Sequence, residues 1–427
     1  MPYVLGVDVG TTRTAAAVCR LGGAGRAEPE VVGLGGPGGG VASFLQLTPD
    51  GTIAVGEPGD PRRTATGFLR RVGDEVPVVL GSELCAPEEL TALMVAWVAR
   101  QVADREGERA SHVVLTHPPG WGPHAKGLVH GALRAMGLPE VTLLAEPLAA
   151  AENHVFARGP ASTVGVFSMG SHAFSAALVR RAPDRGFELL SWTEGVDQDA
   201  GADFDDAVLS HVRTELGRAL GELDAEDPRA LSLLARLRRD CEAAKRVLSG
   251  TPETAVPVHL PTGPVEVVLT RARFEELIRP AVEQAVESLR RTCRGTTPDA
   301  VVLVGGSARI PLIAASVPGR VALEAAPETS VVKGAALAAR RLLVGPEDEP
   351  EPVETSVLAR GDDPRLRFPV GALELDDAEI AAPPPRPPVE ITPLDLPERR
   401  SVKRVVRGFA VSGRSRGSRS PDDEDGR

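Results

Sequence analysis

VLGVDVGTTRTAAAV (residues 4–18) and VGVFSMGSHAFSAALV (residues 164–179) align with Gly10 over Gly170, and this pair of segments decides how the chain folds. Each reads as a strand of β-branched and small residues, a tight turn at glycine, and a second strand. Two such units far apart in one chain are what two similar lobes show when each contributes a hairpin to a shared cleft.

The composition sets the frame for these hairpins. The chain has 427 residues, enough for two or three domains, and its 42% apolar content is that of a soluble globular protein. A net charge of −11 argues against a nucleic-acid binder. Cys19, Cys85, Cys241 and Cys293 form no CxxC pair, so they read as reduced thiols rather than a zinc or disulfide framework. No stretch approaches the roughly 20 apolar residues of a membrane span, and no basic region precedes the first apolar run. A cytoplasmic location is expected.

From residue 3 to about 345, short β-branched runs alternate with longer amphipathic stretches, the pattern of an α/β protein. Strands are expected at 3–9, 15–21, 112–118, 141–146, 163–169, 174–181 and 300–306. Helices are expected at 87–105, 123–136, 203–219, 229–248, 271–292 and 328–343. Pro87 and Asp203 are the expected helix starts, one as a first-turn proline and one as a cap. Beyond this region the composition changes. Residues 346–398 are rich in proline and acid, including AAPPPRPP at 381–388, and read as a linker. Residues 399–427 run from a dense basic block to an acidic end and read as a disordered tail, or as a surface for an acidic partner.

Three stretches carry chemistry. In GVDVGTTRT (6–14), Gly10 permits a tight turn, while successive backbone N–H groups and the hydroxyls of Thr11 and Thr12 can converge on phosphate oxygens. Asp8, at the strand end, can orient Mg²⁺ or a water; the plain alternative is a turn aspartate in an ordinary hairpin. In VVLVGGSARIP (301–311), Gly305 and Gly306 lack side chains and let a flat base approach, with Arg309 placed to stack on it. In DCEAAKRVLS (240–249), Glu242, Lys245 and Arg246 share one helix face, either gripping a ribose and base edge or forming a solvated charged surface.

The order GVDVGTTRT, LLAEPLAAAENHV, GADFDDAV, CEAAKRVLS, LTRARFEELI, VVLVGGSARIP, KGAALAA resembles the nucleotide-binding domain of the seventy-kilodalton heat-shock (DnaK-like) chaperones over about residues 3–343. The resemblance implies an actin-like ATPase fold with two lobes, each built on a ribonuclease H-like mixed sheet, and ATP or ADP with Mg²⁺ in the cleft. It implies that Gly10, Thr11, Thr12 and Arg13 lie on the first phosphate loop and Gly170 on the second. Asp8 would stand beside the metal and Glu146 would help position the catalytic water. Glu242, Lys245, Arg246, Gly305, Gly306, Ser307 and Arg309 would hold the nucleoside, and Pro118 resembles the proline that relays nucleotide state.

The second hairpin departs from that pattern. Where the family has a carboxylate, glycines, a threonine and another carboxylate, this chain has Ser168, Gly170, Ser171, His172, Ala173 and Ser175. Losing oxygen ligands and charge compensation at the γ-phosphate slows phosphoryl transfer by orders of magnitude. The family also places a lysine after a VGEPG-like segment; here that segment, 55–59, is followed by Asp60, leaving Arg62 or Arg63 as substitutes. His172 reads as a base near the γ-phosphate or as a solvent-facing turn residue. The expected function is a chaperone-related adenine-nucleotide switch with slow or absent hydrolysis. The alternative is a nucleotide-free actin-like scaffold recruiting protein partners through its tail. A sugar or acetate kinase is disfavoured, because it needs a catalytic acid for the acceptor hydroxyl.

Overall fold

β1 (Tyr3–Val9) is buried on both faces, which is what a continuous apolar strand requires. Tyr3, Leu5, Val7 and Val9 enter one apolar cluster while Val4 enters another, the period-two division of a pleated strand. In this computed structural model the described residues are 1–22, 27–57, 59–182, 186–196, 200–217 and 227–344. The expected linker at 346–398 and tail at 399–427 lie outside the described residues.

Strands of the two large sheets are numbered in chain order. β1 pairs antiparallel with β2 (Arg13–Arg20), which pairs with β3 (Glu30–Val32) and with β4 (Val41–Ala42). On its other side β1 runs parallel to β5 (His112–His117), which is parallel to β6 (Val141–Ala145). The second sheet repeats this plan. β7 (Thr163–Met169) is antiparallel to β8 (Ala173–Ala182), and β8 to β9 (Gly186–Val196). Beyond β7 lie the parallel strands β10 (Ala300–Val304) and β11 (Val321–Leu323). The repeat seen in the two hairpins therefore extends to whole sheets, and the chain has the two-lobed, mixed-sheet actin-like ATPase fold.

Helices cover the sheets. α1 (Pro87–Glu106) and α2 (Pro123–Ala135) share an apolar cluster with the outer face of the first sheet. α4 (Gly201–Leu216), α5 (Pro228–Leu248) and α6 (Arg271–Thr292) do the same for the second. α7 (Pro311–Ser316) follows β10. Between the sheets, α3 (Glu146–Arg158) and α8 (Ser330–Val344) join one cluster that takes residues from both.

That crossing depends on small residues. A Cβ at Gly334 of α8 would sit 1.7 Å from the carbonyl oxygen of Ala149 in α3, and a Cβ at Gly6 would sit 2.5 Å from the backbone nitrogen of Ala336. Backbones can approach this closely only where side chains are absent. Arg341 of α8 pairs with Glu152 of α3 at 2.6 Å beside the crossing.

The expected helix starting at Asp203 begins two residues earlier. Ala200 is the flanking residue, and the Asp203 carboxylate, in the first turn, accepts from the Ala200 amide at 2.9 Å. The expected strand 141–146 stops at Ala145 because Glu146 and Pro147 open α3. α3, β9 and the ribbon Glu253–Leu260/Gly263–Thr270 have no counterpart in the sequence reading. Among the described residues no helix is long and apolar enough to cross a membrane.

Gly334→Val should lower unfolding free energy by about 2–4 kcal/mol in urea titrations, because the added carbons meet backbone that cannot yield. Gly127→Ala in α2 meets no atom within 4 Å and should be neutral or stabilising by up to about 1 kcal/mol.

Candidate functional site

Both hairpin turns close in the same way. The Gly10 amide donates to the Arg13 carbonyl at 2.9 Å, and the Gly170 amide to the Ala173 carbonyl at 3.0 Å. Each glycine carbonyl then accepts a serine hydroxyl from outside its hairpin, Ser43 on Gly10 at 2.7 Å and Ser307 on Gly170 at 3.1 Å. The second turn is braced further by the Gly201 and Ala202 amides, which reach Gly170 and Ser171 carbonyls at 3.1 and 2.6 Å.

The hairpins face one cavity of about 490 Å³. Its lining includes Asp8, Gly10, Thr11, Thr12 and Arg13 from the first hairpin and Gly170 from the second. It also includes Glu146 from α3, Glu242, Lys245 and Arg246 from α5, and Gly305, Gly306, Ser307 and Arg309 after β10. The metal, phosphate-loop and nucleoside residues expected from the sequence all border this cavity, as does Pro118.

Their partners divide the cavity into two ends. At one end the side chains are already matched: Arg246 pairs with Glu242, and Arg309 makes a two-pronged contact with Glu328 at 3.1 and 2.7 Å. The Lys245 ammonium is buried, 2.8 Å from Asp205 and 2.6 Å from the Gly201 carbonyl. Burial, and then the charge of Arg246, pulls the Arg13 pKa down. Gly305 has φ +90° and a Cβ there would lie 2.4 Å from the Met169 carbonyl, whereas one at Gly306 would meet nothing within 4 Å. Gly305 is thus required by the backbone and Gly306 borders open space.

The other end is acidic. Asp8, half-buried at the end of β1, accepts from the Thr116 hydroxyl at 2.5 Å; desolvation raises its pKa, against that hydrogen bond. Burial first, then the charges of Asp8 and Glu194, pushes the Glu146 carboxyl up to about 8. Beside it, His117 stacks on Trp121 with ring centroids 5.4 Å apart, and burial pulls its pKa down to about 4.

Several features differ from the sequence reading. His172 sits half-exposed in the second turn, with its Nδ1 3.4 Å from the Thr12 hydroxyl of the first hairpin, a contact the sequence did not show. Neither Arg62 nor Arg63 borders the cavity; the Arg63 guanidinium donates to the Leu47 and Thr48 carbonyls at 2.7 Å each. The cavity residues Arg70, Glu194 and Glu328 were not anticipated. Glu194 was hidden with its strand, and Arg70 sits in a short 3-10 turn, Phe68–Arg71, that carries no periodic signal. Cys19, Cys85 and Cys241 are buried, and burial pushes the Cys85 and Cys241 thiols up to about 11 and about 12, so they stay protonated and unreactive near neutrality.

A family model described as "Hsp70 protein" matches residues 72–351. "Chaperone protein DnaK" from Elusimicrobium minutum is 29% identical over 334 residues, covering 73% of this chain and 53% of that protein. The protein of that name from Methanothermobacter thermautotrophicus is also 29% identical, over 328 residues, covering 73% and 54%. The chain spans about half the length of the curated relatives it matches.

A carboxyl whose pKa rises on folding stabilises the folded state at low pH, and that stabilisation fades as pH climbs from about 4.5 towards about 8. Glu146→Gln should therefore flatten the fall in urea stability between about pH 5.5 and about pH 7.5, by at most one proton's worth of slope. An unchanged slope would show that Glu146 titrates normally.

Proposed function

Since the chain belongs to the Hsp70 family, we propose that it binds adenine nucleotide with Mg²⁺ and acts as a chaperone-related switch whose ATP hydrolysis is slow or absent. The observation that carries this reading is convergence: residues chosen from six separate stretches of sequence, Pro118 included, border a single cavity between two equivalent hairpins. In it, Gly10, Thr11, Thr12 and Arg13 offer amides, hydroxyls and a cation to phosphates. The open space over Gly306, flanked by the Arg309–Glu328 and Glu242–Arg246 pairs, takes the base and ribose.

The donor set fits Mg²⁺. Asp8 and Glu146 are paired carboxylates at one end, and among the described residues no group of three or more candidate ligands exists. Mg²⁺ typically takes one or two carboxylates and completes its shell with water and phosphate oxygens. When bound it would neutralise phosphate charge. Glu146 then orients a water and Asp8 anchors the metal side of the site. Slow turnover follows from the second hairpin, which presents Ser168, Ser171, His172 and Ser175 where charge compensation is needed.

The scaffold alternative has one observation in its favour. Thr12 and His172 join the two hairpins directly, side chain to side chain, at 3.4 Å.

Titration calorimetry with ATP and Mg²⁺, run beside a turnover assay on the same sample, should show binding heat with little or no phosphate release. Gly306→Asp should reduce ATP affinity by about tenfold or more, because a carboxylate would occupy the base position and repel phosphate. The open surroundings of Gly306 leave the thermal midpoint nearly unchanged. No heat and no thermal shift from the native protein would favour the scaffold.

A further inference from the structure

The acidic end of the cavity is lined by Asp8, Glu146 and Glu194, and the cavity residue Arg70 acts on Glu194, its charge opposing the upward push of burial on that carboxyl. The other cavity cations belong to the opposite end: Arg13 senses Arg246 and Glu328, Arg246 is bound to Glu242, Arg309 to Glu328, and Lys245 to Asp205. Glu194 reaches this end from the second lobe. It lies on β9, directly across from Ser175 of β8, so both side chains leave the same face of the sheet and border the cavity. Its strand tip also docks on the first lobe. A Cβ at Gly120, two residues after Pro118, would sit 3.1 Å from the Glu194 carboxylate and 3.1 Å from the Trp192 ring. Arg70 and Glu194 are thus a cation and an anion from different lobes, held at the same end of the cleft.

We propose that Arg70 is the group that recognises the terminal phosphate of a nucleoside triphosphate, and that Glu194 holds its charge while that phosphate is absent. This rests on the nucleotide reading above. Arg63 cannot take the part, because its guanidinium is committed to two carbonyls outside the cavity. A guanidinium is suited to it: its planar fork meets phosphate oxygens in pairs and stays charged in a buried, acidic setting. The terminal phosphate and the Glu194 carboxylate are both anionic and compete for Arg70. A triphosphate therefore frees the β9 tip from Arg70 beside the Pro118–Trp121 loop, whereas a diphosphate, ending short of Arg70, leaves the pair in place. Ser175, across from Glu194, is the position at which the second hairpin lacks a carboxylate. The neighbouring strand supplies one instead, so the cleft keeps an acid at this depth.

The test is a comparison of ATP and ADP affinities, each with Mg²⁺, by calorimetry on the full chain and on Arg70→Met, Arg70→Lys and Glu194→Gln. Arg70→Met should weaken ATP by about 10- to 100-fold and ADP by less than about threefold, the range of one lost charge-assisted contact. Arg70→Lys should recover part of the loss, and Glu194→Gln should tighten ATP by about two- to tenfold by removing the competing anion. Trp192 fluorescence, assigned with Trp192→Phe, should respond to ATP in the native protein and much less in Arg70→Met. Preserved ADP binding shows that each variant is folded. Equal losses for both nucleotides in Arg70→Met, or none, overturn the inference, as does weaker ATP binding in Glu194→Gln. Native protein that binds neither nucleotide overturns the nucleotide reading itself, a result distinct from either.

Discussion

The separation of the two lobes is set where the backbone of α8 meets that of α3 at Gly334 and Ala149. α3 follows the first sheet in sequence yet packs largely on the second; α8 follows the second yet packs on β1, β2 and β5. Each lobe therefore closes its inner face with a helix supplied by the other. Around that approach the buried residues are mostly small, Ala149, Ala150 and Ala151 on α3 and Gly334, Ala335 and Ala336 on α8. Such a surface brings backbones close but offers few interdigitating side chains to resist sliding, which is the geometry of a shear joint.

The two lobes are copies in architecture and differ in charge. Strand order, turn closure and the serine brace on the turn glycine recur, so the backbone solution was kept twice. Side-chain chemistry was not. The first hairpin carries a half-buried Asp8, tied to Thr116, at the position where the second carries Ser168. A desolvated carboxylate without a counter-charge costs stability, and the charges of Asp8 and Glu194 already act against ionisation of Glu146. Replacing acids with serines in the second hairpin relieves that repulsion, at the expense of the groups that compensate charge during phosphoryl transfer.

What could be read from the sequence was what local pattern controls. β1 and β2 show their turn as GVDVG, and Pro87 marks the start of α1, because strand periodicity and proline geometry are local facts. α3 was missed for a physical reason: EPLAAAENHVFAR, buried among both lobes, has no clear polar stripe to announce a helix. β9 was missed because GFELLSWTEGV is an outer strand whose mixed polarity follows no clean alternation. Apart from Arg62 and Arg63, the site residues named from the sequence border the cavity, since they came as an ordered series of motifs. Arg70 and Glu194 stand on different lobes, and only the tertiary fold brings them near each other. Asp203 shows the smaller limit, a cap misplaced by a few residues because the same carboxylate can serve the flanking amide from inside the first turn.

The distribution of charge bears on which ligand the cleft can accept. At one end the cations Arg246, Lys245 and Arg309 already have carboxylate partners; at the other, Asp8 and Glu194 both raise Glu146, and Arg70 acts on Glu194. A bare polyanion entering such a cavity gains little from the paired cations and meets the acids directly. A lone divalent cation would satisfy the acids but leave Arg70 beside a like charge. A phosphate–cation pair answers both, because the metal offsets Asp8 and Glu146 while the phosphates meet Arg70 and the first-hairpin amides. On the proposed reading, then, the polarity of the cleft itself selects the metal-complexed nucleotide over either component alone.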